Sequence, residues 1–296
     1  MERESFIYKP KIVVIGSCNT DMVVKAGRLP VPGETVLGGT FYMNPGGKGA
    51  NQAIAAARLG AEVTLISEIY RSEKINTEFI FTDQKSPSGV ALISVDSYGE
   101  NSIIVAPGAS RSLSTEDIDK AKSKLEEADI ILMQLEVPIE TVEYAATIAK
   151  SYGKKVILNP APASVLSNSF LSCVHTILPN RIEAEMLSGI KVIDEESAWR
   201  AAKAIGEKGI ENVVITLGKD GAYVKEKEEY TMIPAKEVET IDTTGAGDVF
   251  CGAFSVYLSE NHTLTESVEF ANAAAALAVT RMGAQSAIPY KREIAL

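Results

Sequence analysis

Short runs of consecutive apolar, mostly β-branched residues recur along the chain, over residues 11–15, 63–66, 130–133, 156–158, 176–178 and 213–216. Runs without polar alternation predict strands covered on both faces, as in parallel sheets. Between them, over residues 51–59, 115–127, 139–151 and 195–208, apolar positions recur three and four apart, which predicts amphipathic helices. Alternating strands and helices specify an α/β protein with a doubly wound, mainly parallel sheet. Two stretches break this rhythm. Residues 22–43 and 88–105 alternate apolar and polar positions between Gly and Pro turns, with no helix between. They predict antiparallel strands outside the main sheet, forming a small β lid. No internal repeat, low-complexity tract or Ser/Gly linker interrupts the 296 residues. The lid therefore reads as an excursion from one domain spanning residues 1–296.

Composition narrows the function classes. With 46% hydrophobic and 23% charged residues, the chain can bury a full core. Its net charge of −10 argues against a general nucleic-acid or anionic-membrane binder, which needs a basic face to displace counterions. Any phosphate it handles must be held locally. Cys18, Cys173 and Cys251 are odd in number and form no CxxC spacing, so neither a disulfide framework nor a zinc site is expected. The opening MERESFIYKPK lacks the apolar run of a signal peptide, and the uncharged stretch 270–280 is too short to span a bilayer. The expected location is cytoplasmic. His175 and His262 stand far apart without ligand partners, and Trp199 reads as a packing residue.

Four constellations carry candidate chemistry. In Asp242-Thr243-Thr244-Gly245-Ala246-Gly247-Asp248, followed by a small, apolar run, glycines at a loop-to-helix junction let backbone N–H groups face an anion. Asp248 there is either a helix cap or a base acting on a neutral hydroxyl, because a carboxylate beside phosphate is otherwise repelled. In Asn44-Pro45-Gly46-Gly47-Lys48-Gly49-Ala50-Asn51 no hydroxyl follows Lys48, so a Walker phosphate loop is rejected. Gly46 and Gly47 can still bring backbone close to a small polar ligand, with Lys48 and Asn51 as donors, or the segment is a plain strand-to-helix turn. Asn19 and Asp21, just after the first strand at its carboxyl edge, either chelate neighbouring hydroxyls of a polyol or form a plain turn, where Asn-x-Asp is common. Asn180 and Glu183, three apart at a helix start, either position hydrated magnesium or form a capping box.

The segments GGKGANQAIAAARLG at 46–60 and DTTGAGDVFCG at 242–252 resemble the two signatures of the ribokinase, or pfkB-type, family of carbohydrate kinases. Met133-Gln134-Leu135-Glu136 and Asn159-Pro160-Ala161-Pro162 are also similar, and the likeness runs from about residue 11 to 290. It implies ATP-dependent phosphorylation of D-ribose at O5, with Asp248 as base and Gly245, Ala246 and Gly247 as an anion hole. It implies ribose contacts from Asn19, Asp21, Gly47, Lys48, Gly49, Ala50, Asn51 and Glu136. ATP contacts are implied for Asn180, for Thr216, Leu217, Gly218, Lys219, Asp220 and Gly221, for Gly247, and for Asn272 near adenine. Glu183 would organise Mg2+ through water. Asp242, Thr244, Ala278, Arg281, Gly283 and Ala287 would surround K+, several through carbonyl oxygens. Ala287 occupies a position that can carry serine, so a side-chain ligand is lacking there. Members of this family pair their lids into a homodimer, and Val23, Val36, Phe41 and Val105 are the apolar lid residues expected at such an edge.

One segment departs from the family pattern. After Ile66 the family carries a Gly-x-Asp segment and a helix of several turns, whereas here only residues 67–74 precede Ile75. A parallel crossover with its helix takes at least about 10 to 12 residues. Either a peripheral helix is absent or residues are omitted; the continuation over 78–81 favours omission. An intact mass near 31.7 kDa would mark a true deletion. Two alternatives to the leading reading stay open: a kinase for another small sugar or a nucleoside, and a sugar-binding homologue impaired by the shortened region.

Overall fold

The computed structural model describes residues 8–66, 75–98 and 101–295. Its strands, in chain order, are β1 (Lys11–Ile15), β2 (Asn19–Lys25), β3 (Thr40–Gly46), β4 (Glu62–Ile66), β5 (Gly89–Val95) and β6 (Asn101–Ala106), then β7 (Ile130–Met133), β8 (Lys155–Leu158), β9 (Thr176–Ile177), β10 (Asn212–Thr216), β11 (Ala222–Glu226) and β12 (Glu229–Ile233). The helices are α1 (Lys48–Arg58), α2 (Thr115–Lys120), α3 (Lys122–Glu127), α4 (Ile139–Ser151), α5 (Asn168–Leu171), α6 (Arg181–Ser188), α7 (Glu195–Gly206), α8 (Ala246–Ser259) and α9 (Leu264–Ala278).

Eight strands form one sheet in the order β12-β11-β10-β9-β8-β7-β1-β4. Neighbours from β4 through to β10 pair in parallel, and β11 and β12 add an antiparallel hairpin at the edge. The apolar runs explain the layers. In β1, Ile12 and Val14 enter a core with α1, α8 and α9, while Val13 and Ile15 enter a second core with α2 to α7. Successive side chains of a strand point to opposite faces, so an uninterrupted apolar run needs cover on both. The hairpin escapes the sequence pattern because its turn is carried by Lys227 at φ 53, where Gly or Asn usually gives the signal. The expected helix over 115–127 is divided at Ala121 (φ −96, ψ 5), with Ile118 and Leu125 on either side both buried.

The lid is a four-stranded sheet in the order β3-β2-β5-β6. Its outer pairs, β2/β3 and β5/β6, are antiparallel as expected, and the central pair β2/β5 runs parallel. β2 follows β1 after three residues, and β1 and β4 are themselves parallel neighbours. Alternation along β2 sorts its residues between faces: Asn19, Asp21 and Val23 look one way, Met22 and Val24 the other. Val23, expected on the exposed edge, is 7% exposed because it shares the face of Asp21. The outward face carries Val24, Phe41, Met43, Leu92 and Ile104, all exposed. The shortened stretch falls on residues 67–74, outside the described residues; the chain resumes at Ile75, and Asn76 pairs in parallel with Thr64 beside β4. Among the described residues no helix is long and apolar enough to cross a membrane.

Candidate active site

The site forms where α1 starts against the end of β1. The Ala50 N–H donates to Ser17 O at 2.9 Å, and a Cβ on Gly49 would lie 2.5 Å from the Gly16 carbonyl carbon. Gly47 is required twice over: its φ is 91°, and a Cβ there would lie 2.7 Å from the Asn19 nitrogen. Asn19 and Asp21 lie on β2 and not in a turn, two residues apart on its inward face. Each is pressed by a glycine, since a Cβ on Gly89 or Gly46 would collide with Asn19 Oδ1 or the Asp21 carboxylate.

Around this junction the structure gathers Asn19, Asp21, Lys48, Asn51, Glu136 and Asp248. The Lys48 N–H donates to Glu136 Oε2 at 3.0 Å, and Lys48 Nζ stands 4.0 Å from Oε1. Ser17 Oγ also donates to Glu136 Oε2. Asp248, 6% exposed in the first turn of α8, accepts from Asn51 Nδ2 at 2.9 Å and from Gln52 Nε2 at 3.0 Å. Asn19 Oδ1 and Asn51 Oδ1 are buried with no partner among the described residues, which leaves two acceptors for a ligand's hydroxyls.

Burial dominates the electrostatics. It pushes the Asp21 carboxyl up to about 6, helped by the charges of Glu136 and Asp248 and opposed by Lys48. It pushes Asp248 up as well, against Lys48, Asn51 and Gln52, which favour its ion. Lys48 is held above the usual lysine range, first by the charge of Asp248. Ionised carboxylates only accept hydrogen bonds, so several of them around one ammonium form a pocket suited to a molecule rich in O–H donors.

On the far side of Asp248, Gly245 adopts the left-handed conformation (φ 75) that starts α8. The first-turn N–H groups of a helix have no intrahelical partner and carry its positive dipole end. They border a cavity of about 770 Å3 whose wall includes Ala246, Gly247, Thr216, Gly218, Lys219, Asp220, Gly221 and Asn272. Those predicted residues are thus brought together. Leu217 is not in the wall: its side chain is core, and its N–H closes the loop on Gly221 O at 2.8 Å. Asn180 sits beside the wall, bridged to Thr216. The Asn272 Nδ2 donor is engaged by Pro234 O at 3.2 Å. The wall also uses Thr243 and Phe250 from the 242–252 signature, and Ala275 and Val279, small apolar residues that carry no chemical signal in a sequence.

Asn180 and Glu183 make the capping box in full. Asn180 Oδ1 accepts from the Glu183 N–H at 2.9 Å, and the Glu183 carboxylate accepts from Asn180 N at 2.8 Å and Nδ2 at 2.9 Å. Burial raises the Glu183 carboxyl against those bonds. The Asp242 carboxylate accepts from Thr244 N at 2.9 Å, from Thr244 Oγ1 at 2.7 Å and from Gly283 N at 2.8 Å. Burial works against its ionisation, yet these bonds keep it below the usual carboxylate range. Asp242 N also reaches Val279 O at 3.1 Å, next to Ala278. Arg281 directs its guanidinium to Glu293 at 2.8 Å. Arg58, at the end of α1, donates to Gln285 O at 2.7 Å and Ile288 O at 2.9 Å, fixing the segment that holds Ala287. Among the described residues no three His, Cys, Asp or Glu side chains gather as a metal site.

Gln52, Gln134 and Asn159 lie in the segments that resemble the family but carry no chemical pattern of their own in the sequence. Gln52 sits among the alanines of the apolar helix pattern, which hides it.

Residues 9–291 match the pfkB family of carbohydrate kinases. A ribokinase of Haemophilus influenzae is 45% identical over 294 residues, 95% of this chain and 96% of that protein. The ribokinase structure from Thermotoga maritima is 38% identical with a TM-score of 0.83, covering 97% of this chain and 98% of that one. The Arabidopsis thaliana ribokinase complexed with ribose and ATP is 30% identical with a TM-score of 0.83, covering 96% and 97%. The chain is a pfkB-family carbohydrate kinase, and the pocket around Asp248 is its candidate active site.

Proposed function

We propose that the chain transfers the γ-phosphoryl group of ATP to O5 of D-ribose, a ribokinase activity. One observation carries the reading: Asp248 is bonded to Asn51 on the polyol side and directly follows Gly247 in the wall of the large cavity. Phosphoryl transfer needs in-line positioning and charge stabilisation more than covalent help, and this junction offers both. Ribose lies against Asn19, Asp21, Lys48, Asn51 and Glu136, with Gly47, Gly49 and Ala50 letting the backbone approach. The triphosphate runs along residues 216–221 to Gly245, Ala246 and Gly247, with Asn180 and Asn272 at its flanks. Asp248 accepts the 5-hydroxyl proton as the new P–O bond forms, and ADP leaves. Burial raises the Asp248 carboxyl, and Asn51, Gln52 and Lys48 work against it, favouring the ionised form that accepts the proton.

The donor sets fit the two cations such transfers use. Both Glu183 oxygens already accept a cap bond, and their remaining lone pairs suit the waters of hydrated Mg2+. Asp242, Thr244, Ala278, Arg281, Gly283 and Ala287 offer one carboxylate and backbone carbonyls, hard oxygen donors suited to K+. When bound, the two ions offset negative charge on the triphosphate and behind the anion hole. The protein's own part is to hold Glu183 by Asn180, and to tie the 242–244 and 283 loops through the Asp242 carboxylate.

The outward lid face, with Val24, Phe41, Met43, Leu92 and Ile104, is assigned to a second copy of the chain, a homodimer through the lid. The lid strands are an excursion of the single domain, and the protein works in the cytoplasm. Assaying ADP release with ribose, 2-deoxyribose, fructose and adenosine tests the reading. Ribose should give the highest kcat/KM; preference for fructose or adenosine would overturn it, and ribose binding without ATP consumption would favour the impaired sugar-binding homologue. A monomeric light-scattering mass at micromolar concentration would remove the dimer.

A further inference from the structure

Behind Asp248 lies a chain of amides, two fully buried and the third, Asn159, half-buried. Gln52 and Gln134 are both 0% exposed. Gln52 Nε2 has two hydrogens and uses both: one reaches Asp248 Oδ1 at 3.0 Å, the other Asn159 Oδ1 at 3.2 Å. Gln52 Oε1 accepts from Gln134 Nε2. Asn159 Nδ2 in turn donates to the carbonyl of Leu178 at 3.1 Å.

The direction of this chain is dictated from its far end. A backbone carbonyl only accepts, so Leu178 draws the NH2 of Asn159 and turns its oxygen toward Gln52. That oxygen draws the Gln52 NH2, which is thereby also presented to Asp248. Gln134 then closes the other side by donating to Gln52 Oε1. The terminal torsion of a glutamine is broad and roughly two-fold, so an unsupported amide could turn its oxygen on the carboxylate. Gln134 and Asn159 remove that choice. Gln134 Oε1 has no partner among the described residues and packs on Gly16, where a Cβ would collide with it. A buried acceptor left unpaired costs stability.

We infer that Gln52 is a positioning residue for the transfer, holding one oxygen of Asp248 while Asn51 holds the other, and that Gln134 and Asn159 act only through Gln52. The inference rests on Asp248 being the base. Fixing both oxygens sets the plane of the carboxylate relative to the incoming hydroxyl, and small misplacements of a reacting group cost large factors in rate. Other charged groups around this carboxylate are Lys48 on α1, Glu136 after β7, Asp21 on β2 and Glu183 on α6.

The test measures kcat, KM for ribose and thermal stability for Gln52→Met, Gln134→Met, the double variant and Asp248→Asn. Gln52→Met should lower kcat roughly 10-fold to 10²-fold with KM for ribose within about three-fold. Gln134→Met should lower kcat less, and the double variant should match Gln52→Met in kcat, with a stability loss smaller than the sum of the two because the side chains share a hydrogen bond. Should Gln52→Met fail to fold, Gln52→Glu keeps the shape and a hydrogen-bonding end. It should lower kcat and move the acid limb of the kcat–pH profile upward, because two carboxyl groups then share one site. Parental kcat in a folded Gln52 variant, or losses in kcat that multiply in the double variant, would overturn the positioning role while leaving the base in place. Parental kcat in Asp248→Asn would instead remove the base itself and the inference with it.

Discussion

The two walls that meet at Asp248 are built differently. The polyol side is made of buried charged and amide side chains whose charges act on one another: burial raises the Asp21 carboxyl, and the charge of Asp248 raises Lys48. The cavity side sets backbone and small residues, Gly218, Gly221, Ala246, Gly247, Ala275 and Ala276, beside the charges of Lys219, Asp220, Lys236 and Glu237. A sugar differs from its relatives by single hydroxyls, so the first wall discriminates through directed donors and acceptors. A triphosphate is recognised by charge, and helix N-terminal N–H groups suffice for that. The polyol wall should therefore be sensitive to changes in side-chain chemistry, the cavity wall to added bulk.

The sharpest way to break this contrast is at the shared residue. Asp248→Asn should cut kcat by roughly 10²-fold to 10⁴-fold with ribose affinity retained, read by steady-state kinetics and calorimetry. Next, a Cβ on Gly247 meets no atom within 4 Å, so Gly247→Ala should fold normally and intrude only on the bound phosphoryl group. A loss of kcat of about 10²-fold, with the melting temperature unchanged, is expected. Gly47→Ala is the reverse case. Its φ of 91° and a clash with backbone should lower stability by roughly 1 to 3 kcal/mol, seen in urea unfolding.

The polyol wall also carries a pH signature. With a folded-state pKa of about 6 against 3.8 for the ordinary group, Asp21 binds more protons folded than unfolded between those values. Its contribution to stability is present below pH 3.8 and lost as pH rises through about 6. Asp21→Asn should therefore gain melting temperature relative to the parent at pH 8 but not at pH 3.5, while weakening ribose binding. A pH-independent difference would refute the burial of that charge. The smallest expected effect is at the cavity rim: Asn180→Ala removes the α6 cap and should lower stability by about 1 kcal/mol with ribose KM unchanged.

Most of the site was legible where chemistry needs rare patterns. The glycines around Lys48 and before Asp248 announced themselves because backbone approach and a left-handed start leave few alternatives to glycine. The parallel sheet was legible because strands buried on both faces cannot hide polar residues. Asn19 and Asp21 misled in structure because a strand facing a polar pocket carries the residues of a turn. Gln52 was invisible because its neighbours are alanines, and its meaning appears only when Gln134 and Asn159 arrive from just beyond β7 and β8. The cavity wall around Ala275 and Val279 had no signature at all, since shape there is supplied by residues that elsewhere merely fill a core.

The bond between Asn51 and Asp248 joins residues 197 positions apart. No early portion of a growing polypeptide holds both, so the competent carboxylate assembles only after α8 has docked on α1. During refolding, recovery of turnover should trail the return of tryptophan and far-ultraviolet signals, making activity a reporter of the last long-range closure.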